Sequence, residues 1–128
     1  MLNPLVSVIM PSYNYAIYLE DSISSVLQQV YTNWELIIVD NCSTDNSREI
    51  ISRYSASDSR IRLIGCEYNS GSPARPRNIA INNAKGKYVC FIDADDLWLN
   101  NKLQKQVAYL ESHSDVFMLY SRYLILKN

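Results

Sequence analysis

The stretch WELIIVDNCSTDNSREIISRY, Trp34 to Tyr54, decides the fold class. Its first part, Trp34 to Asp40, is apolar at four consecutive positions rather than at alternate ones. Such a strand is covered on both faces, as in a parallel sheet lying between helices. STDNS then offers the side-chain oxygens that open a helix, and REIISRY continues as that helix.

The same grammar extends in both directions. LVSVIM, Leu5 to Met10, reads as a buried strand that Pro11 is expected to end. Leu19, Ile23, Val26, Leu27 and Val30 recur at helical spacing, which predicts an amphipathic helix over Tyr18 to Val30. Ile61 to Gly65 makes a third strand, and NSGSP, residues 69–73, a loop. Arg77 to Ala84 is expected as a helix that Lys85 and Gly86 end. Tyr88 to Asp93 gives a fourth strand. Leu103, Val107 and Leu110 mark a fourth helix, and Val116 to Leu124 a fifth strand. Ser55 to Ser59 reads as a loop within the domain. The order β-α-β-α-β-α-β-α-β over residues 1–128 implies one α/β domain, a mostly parallel sheet flanked by helices.

Composition narrows the function. The chain has 128 residues, 12 basic and 13 acidic, and a net charge of −1. That balance lacks the basic excess of a nucleic-acid binder. No apolar run approaches the roughly 20 residues needed to span a bilayer. The N-terminus shows neither a basic n-region nor a small-residue cleavage site. A cytoplasmic protein is expected, with any membrane association peripheral. Cys42, Cys66 and Cys90 are odd in number and show no CxxC pairing, so they read as reduced thiols. His113 is the sole histidine. No nucleophile motif surrounds it, and it is expected near a helix C-terminus.

In an open α/β sheet, ligands bind beyond the carboxyl ends of the strands, near the point where strand order reverses. Polar groups follow each of the first four strands here: PSYN (11–14), Asp40 with Asn41, Asn69-Ser70-Gly71, and DADD (93–96). Each has a plain structural reading. Asp40 can cap a helix, Tyr13 can be a surface aromatic, and Asn69 and Gly71 suit any turn. DADD resists that reading, because one carboxylate suffices for a cap and three this close repel one another. Oxygen ligands alone favour a hard divalent ion, Mg²⁺ or Mn²⁺, held by one or two carboxylates and completed by substrate phosphates. No GxxxxGK[ST] and no GxGxxG accompanies it. Tyr13 offers a face on which a base can stack, and Asp40 can accept a base N–H. Together these describe a nucleoside diphosphate gripped at both ends.

VSVIMPSYN, IIVDNCSTDNS, NSGSPARPRNIAI and AKGKYVCFIDADDLW resemble the N-terminal blocks of the family 2 glycosyltransferases, in order, from about Val6 to Lys105. The resemblance implies the GT-A (Rossmann-like) fold and transfer of a sugar from a nucleotide-diphosphate sugar, most often a UDP-sugar, to an acceptor hydroxyl with inversion. It implies a DxD motif at Asp93-Ala94-Asp95. Pro11 and Tyr13 would line the base pocket and Asp40 would bind the base. Arg77 would lie near the phosphates, Asp93 and Ala94 at the ribose or donor sugar, and Asp95 on the Mn²⁺ or Mg²⁺. Asp96 would support them. Cys42 stands where the family commonly has glycine, and Asn41 where it often has aspartate. The family's general base lies well past the DxD, so here it is expected beyond Asn128, with the acceptor half absent. Glycan or lipid-linked acceptors of bacterial surface polysaccharides follow, as does self-association through surface left by that half. A non-catalytic nucleotide-sugar-binding module is the alternative. A sugar-nucleotide pyrophosphorylase would need a glycine-rich basic loop where PSYNYA stands.

Overall fold

A computed structural model of the chain describes residues 3–127, so the ends of the expected 1–128 domain lie outside it. The elements run β1 (Val6–Ser12), α1 (Ala16–Leu27), β2 (Trp34–Asp40), α2 (Ser47–Ser57), β3 (Ile61–Gly65), α3 (Ala74–Asn82), β4 (Tyr88–Phe91) and α4 (Lys102–Ser112). The sheet has the order β3-β2-β1-β4, and every neighbouring pair is parallel. Strand order therefore reverses between β1 and β4, which marks a crevice at their carboxyl ends. The α/β expectation holds.

The consecutive apolar residues of β1 and β2 serve two cores. Val6, Val8, Met10, Leu36 and Ile38 face α1, α2 and α4, where Leu19, Ile23, Ile51 and Leu103 meet them. Ile9, Ile37 and Val39 face α3, where Ala80 closes the second, smaller core. Every side chain of β1 and all of β2 but Glu35 are thus buried, which is why neither strand alternates. At the opposite end of the sheet, Gly86 passes so close to β1 that a Cβ would stand 2.6 Å from the Ser7 nitrogen. Its N–H donates to Ser7 Oγ at 2.8 Å, and Ser7 Oγ donates to Glu35 Oε1 at 2.6 Å.

Several expected boundaries shift for identifiable reasons. β1 runs through Pro11 to Ser12 instead of stopping before the proline. Val6 N–H and Ser12 C=O bond on the β2 side, while Ile9 C=O accepts from Ile92 on the β4 side. By alternation the missing Pro11 N–H would face the β4 side, past the last β1–β4 pair, so nothing is lost. α1 ends at Leu27, and Val30 is 54% exposed rather than an apolar anchor. Gln29 turns the chain there: its amide donates to Ser25 and Leu99 carbonyls and accepts from Leu103 N–H. α2 extends to Ser57, into the expected loop. α3 starts at Ala74, earlier than expected. Pro76 falls in its first turn, where N–H groups have no intrahelical partner. β4 stops at Phe91 because the chain turns at Asp93.

The expected fifth strand over Val116 to Leu124 does not form. Phe117, Met118, Tyr120, Tyr123 and Leu124 are exposed, and no described strand lies beside them to complete a ladder. Apolar content alone does not make a strand when its backbone groups find no partner. No described helix is long and apolar enough to cross a membrane.

Candidate functional site

A cleft of about 600 Å³ opens at the strand-order reversal. That volume suits a small-molecule ligand. One wall is the end of β1 and the turn after it, Pro11 to Tyr15. Another is the β3–α3 loop with Pro76 and Arg77 of α3. The third is Asp93, Ala94 and Asp95, just past β4. Pro11, Tyr13, Arg77, Asp93, Ala94 and Asp95, singled out in the sequence, thus line a single cleft.

Residues 93–96 form a tight turn, with Asp96 N–H donating to the Asp93 carbonyl at 3.0 Å. Ala94 is buried, and its carbonyl accepts from Ser22 Oγ at 2.8 Å, so α1 fixes the turn from below. Asp93 accepts from Arg77 Nη2 at 2.6 Å, joining α3 to the end of β4 across the cleft. Asp95 is exposed and makes no ion pair among the described residues. The packing around Asp96, first, and then the charges of Asp93 and Asp95 hold its carboxyl above the ordinary carboxylate range. Negative potential therefore accumulates in this turn. Among the described residues no group of three aspartates, glutamates, histidines or cysteines converges on one point. The chain offers a divalent ion one free carboxylate and one engaged in an ion pair, with ligand oxygens left to complete the shell. Such a donor set suits Mg²⁺ or Mn²⁺ arriving with a phosphate.

Asp40 is 1% exposed and stands behind the cleft wall rather than on it. Its Oδ2 accepts from Ser43 N–H at 3.2 Å, while its Oδ1 is buried without a protein partner. Ser12 is its register partner on β1, and Ser12 Oγ is likewise buried and unpartnered. Two adjacent buried oxygens without partners at a strand end are a polar feature that a bound group can satisfy.

Sequence reading missed the residues that hold the walls in place. Asn14 sits at φ 53, and its Oδ1 accepts from Thr44 N–H at 2.7 Å while its own N–H donates to Ser43 Oγ at 3.0 Å. Asp45 returns the contact: its carboxylate accepts from Ala16 N–H at 3.1 Å and Ser47 N–H at 2.9 Å, at the starts of α1 and α2. The turn carrying Tyr13 is thereby laced to the turn after β2. Asparagine tolerates left-handed backbone better than most residues, which is the signal the sequence holds, but sequence does not reveal which loop lies opposite. Cys42 also has positive φ, 64°, which gives a steric reason for glycine at this position. Its Sγ donates to the Cys66 carbonyl at 3.2 Å. His113 ends α4 and stacks on Tyr109, remote from the cleft lining.

Comparison with known proteins gives a consistent result. The family model described as Glycosyl transferase family 2 matches residues 7–128. The teichuronic acid biosynthesis glycosyltransferase TuaG of Bacillus subtilis is 49% identical over 114 residues, 89% of this chain and 45% of that protein. WfgD of Escherichia coli, a UDP-Glc:α-D-GlcNAc-diphosphoundecaprenol β-1,3-glucosyltransferase, is 45% identical over 97% of this chain and 47% of its own length. The crystal structure of Staphylococcus aureus TarS 1–349 in complex with UDP superposes with a TM-score of 0.81 at 33% identity, covering 85% of this chain and 32% of that one. The chain spans about half the length of the curated relatives it matches.

Proposed function

The chain belongs to the family 2 glycosyltransferases, and we propose that it is the donor-binding part of a GT-A enzyme that moves a sugar from a nucleotide-diphosphate sugar to an acceptor hydroxyl with inversion. The observation that carries this reading is the convergence, in one cleft at the strand-order reversal, of an aromatic wall, a cation from α3 and an acidic turn. The UDP complex of the TarS fragment supports a uridine donor. The names of TuaG and WfgD support a glycan or lipid-linked acceptor in bacterial surface polysaccharide synthesis; a place at the inner face of the membrane is part of the same proposal.

Each residue then has a chemical part. Tyr13, 44% exposed, offers its face to the base. The unpartnered Asp40 Oδ1 accepts a base N–H once the walls shift to admit it. Arg77 supplies positive charge to the pyrophosphate, Asp93 and Ala94 contact the ribose or sugar side, and Asp95 holds Mn²⁺ or Mg²⁺. When bound, the cation supplies charge that stabilises a departing diphosphate. The base that deprotonates the acceptor is proposed outside residues 1–128.

Calorimetric titration of UDP, with and without Mn²⁺, tests the reading. Mn²⁺-dependent binding is the expected outcome, and GDP or dTDP binding in place of UDP would move the base assignment. No nucleotide binding by folded protein would refute a donor site formed by this chain. The alternative reading is a nucleotide-sugar-binding module without turnover. Donor binding with no transfer in the presence of acceptors would select it.

A further inference from the structure

Asn41 lies one residue past β2 and is 4% exposed. Its Oδ1 accepts from Ser70 N–H at 3.2 Å. Its Nδ2 donates to Asn69 Oδ1 at 3.2 Å and to the Ser72 carbonyl at 3.5 Å. Asn69 Oδ1 also accepts from Gly71 N–H at 2.7 Å. Backbone partners fix the orientation of both amides, because an N–H can only donate and a carbonyl can only accept. Asn41 must therefore give and take at once. The other hydrogen bonds of residues 69–73, among the described residues, stay within the loop and α3. Asn41 is thus the side chain that ties this loop to the sheet. Asn69, Gly71 and Ser72 form one cleft wall, and the loop leads straight into α3 and Arg77.

We propose that Asn41 is a positioning residue, whose amide sets the distance between the β3–α3 loop and the carboxyl ends of β2 and β1, and so the width of the cleft that the donor nucleotide fills. A carboxylate here keeps the Ser70 bond but loses both donated ones. It would also set acceptor against acceptor at Asn69 Oδ1 and Ser72 O. The proposal rests on the donor-binding reading above, and it makes aspartate at this position a functional change rather than a neutral one.

The test is Asn41→Asp, nearly isosteric, in the full chain. UDP with Mn²⁺ is titrated into both proteins from pH 8 to pH 5.5, and amide exchange at Gly71 is followed by NMR. The expected result at pH 8 is about tenfold weaker binding. Gly71 exchange should be faster, while Ser70, whose acceptor persists, changes less. The affinity gap should narrow as pH falls, because the introduced carboxyl, once protonated, regains a donor. A generic packing defect would leave the gap independent of pH. Equal affinity at pH 8, or Gly71 exchange no faster than in the unaltered chain, overturns the proposal. Should the unaltered chain bind no UDP, the donor-binding reading has failed, and Gly71 exchange decides alone: no acceleration in Asn41→Asp overturns the positioning role. Should the variant not fold, a Gly71 amide already unprotected in the unaltered chain overturns it.

Discussion

Asp93 and Asp95 stand one residue apart in the turn after β4, yet their surroundings differ. Asp93 is neutralised within the chain by Arg77 at 2.6 Å, whereas Asp95 faces solvent without an ion pair among the described residues. In the donor-binding reading this makes Asp95 the primary metal ligand. Asp95→Ala is expected to remove the Mn²⁺ dependence of UDP binding, and calorimetry with and without the ion checks it. The Arg77–Asp93 pair is half-exposed and contributes at most about 1 kcal/mol to folding. Arg77→Ala should therefore leave the thermal midpoint nearly unchanged while weakening UDP binding roughly tenfold. A large fall in the midpoint would show that Arg77 serves the fold instead. At this scale the sequence was informative about residue types and poor about partners. Three carboxylates in four positions announced a charged site, but nothing in DADD or PRN says that Arg77 meets Asp93 rather than Asp95. That choice depends on where α3 docks against the sheet.

Elements were legible wherever hydrophobic periodicity was strong and covered by neighbours. β2 and β3 match their expected limits: β2 lies buried between two strands, and β3, on the sheet edge, pairs with β2 along its whole length. Pro11 misled, since the effect of a missing N–H depends on which neighbour it faces. Val116 to Leu124 misled in the other direction, since a strand needs a partner that its own sequence does not supply. The starts of α1 and α2 depend on Asp45, which sits outside both helices. Burial pushes its carboxyl up, but the bonds from Ser47 and Ala16 outweigh this and hold it below the ordinary aspartate range. A depressed carboxyl stabilises the fold above its unfolded pKa, near 4, and that stabilisation fades as pH falls through the folded value. Asp45→Ala should thus cost about 1 kcal/mol at pH 7, with the difference in thermal midpoint closing in acid. Gly86→Ala should cost roughly 1–3 kcal/mol at any of these pH values. The added methyl meets the backbone of Leu5 and Ser7 as well as Ser7 Oγ, and thermal denaturation followed by circular dichroism measures the loss.

For the whole molecule, the parallel α/β sheet is the fold class expected, while its surface carries extensive apolar area. Phe117, Met118, Tyr120, Tyr123 and Leu124 lie exposed in one segment, and Val89 and Phe91 are exposed on the edge strand β4. Apolar surface of that extent favours association. Light scattering across a wide concentration range should show an average mass rising above 14.7 kDa. A constant monomer mass would show that these side chains tolerate water. The ion pair across the cleft mouth has a further consequence. In the donor-binding reading, Arg77 and Asp93 are partners that a bound phosphate and cation would each claim. A phosphate arriving alone claims the guanidinium and strands the carboxylate, and a cation arriving alone does the reverse. Arriving together, they satisfy both halves at once. The cleft should therefore behave as a thermodynamic AND gate: UDP raises the affinity for Mn²⁺ by the same factor by which Mn²⁺ raises the affinity for UDP.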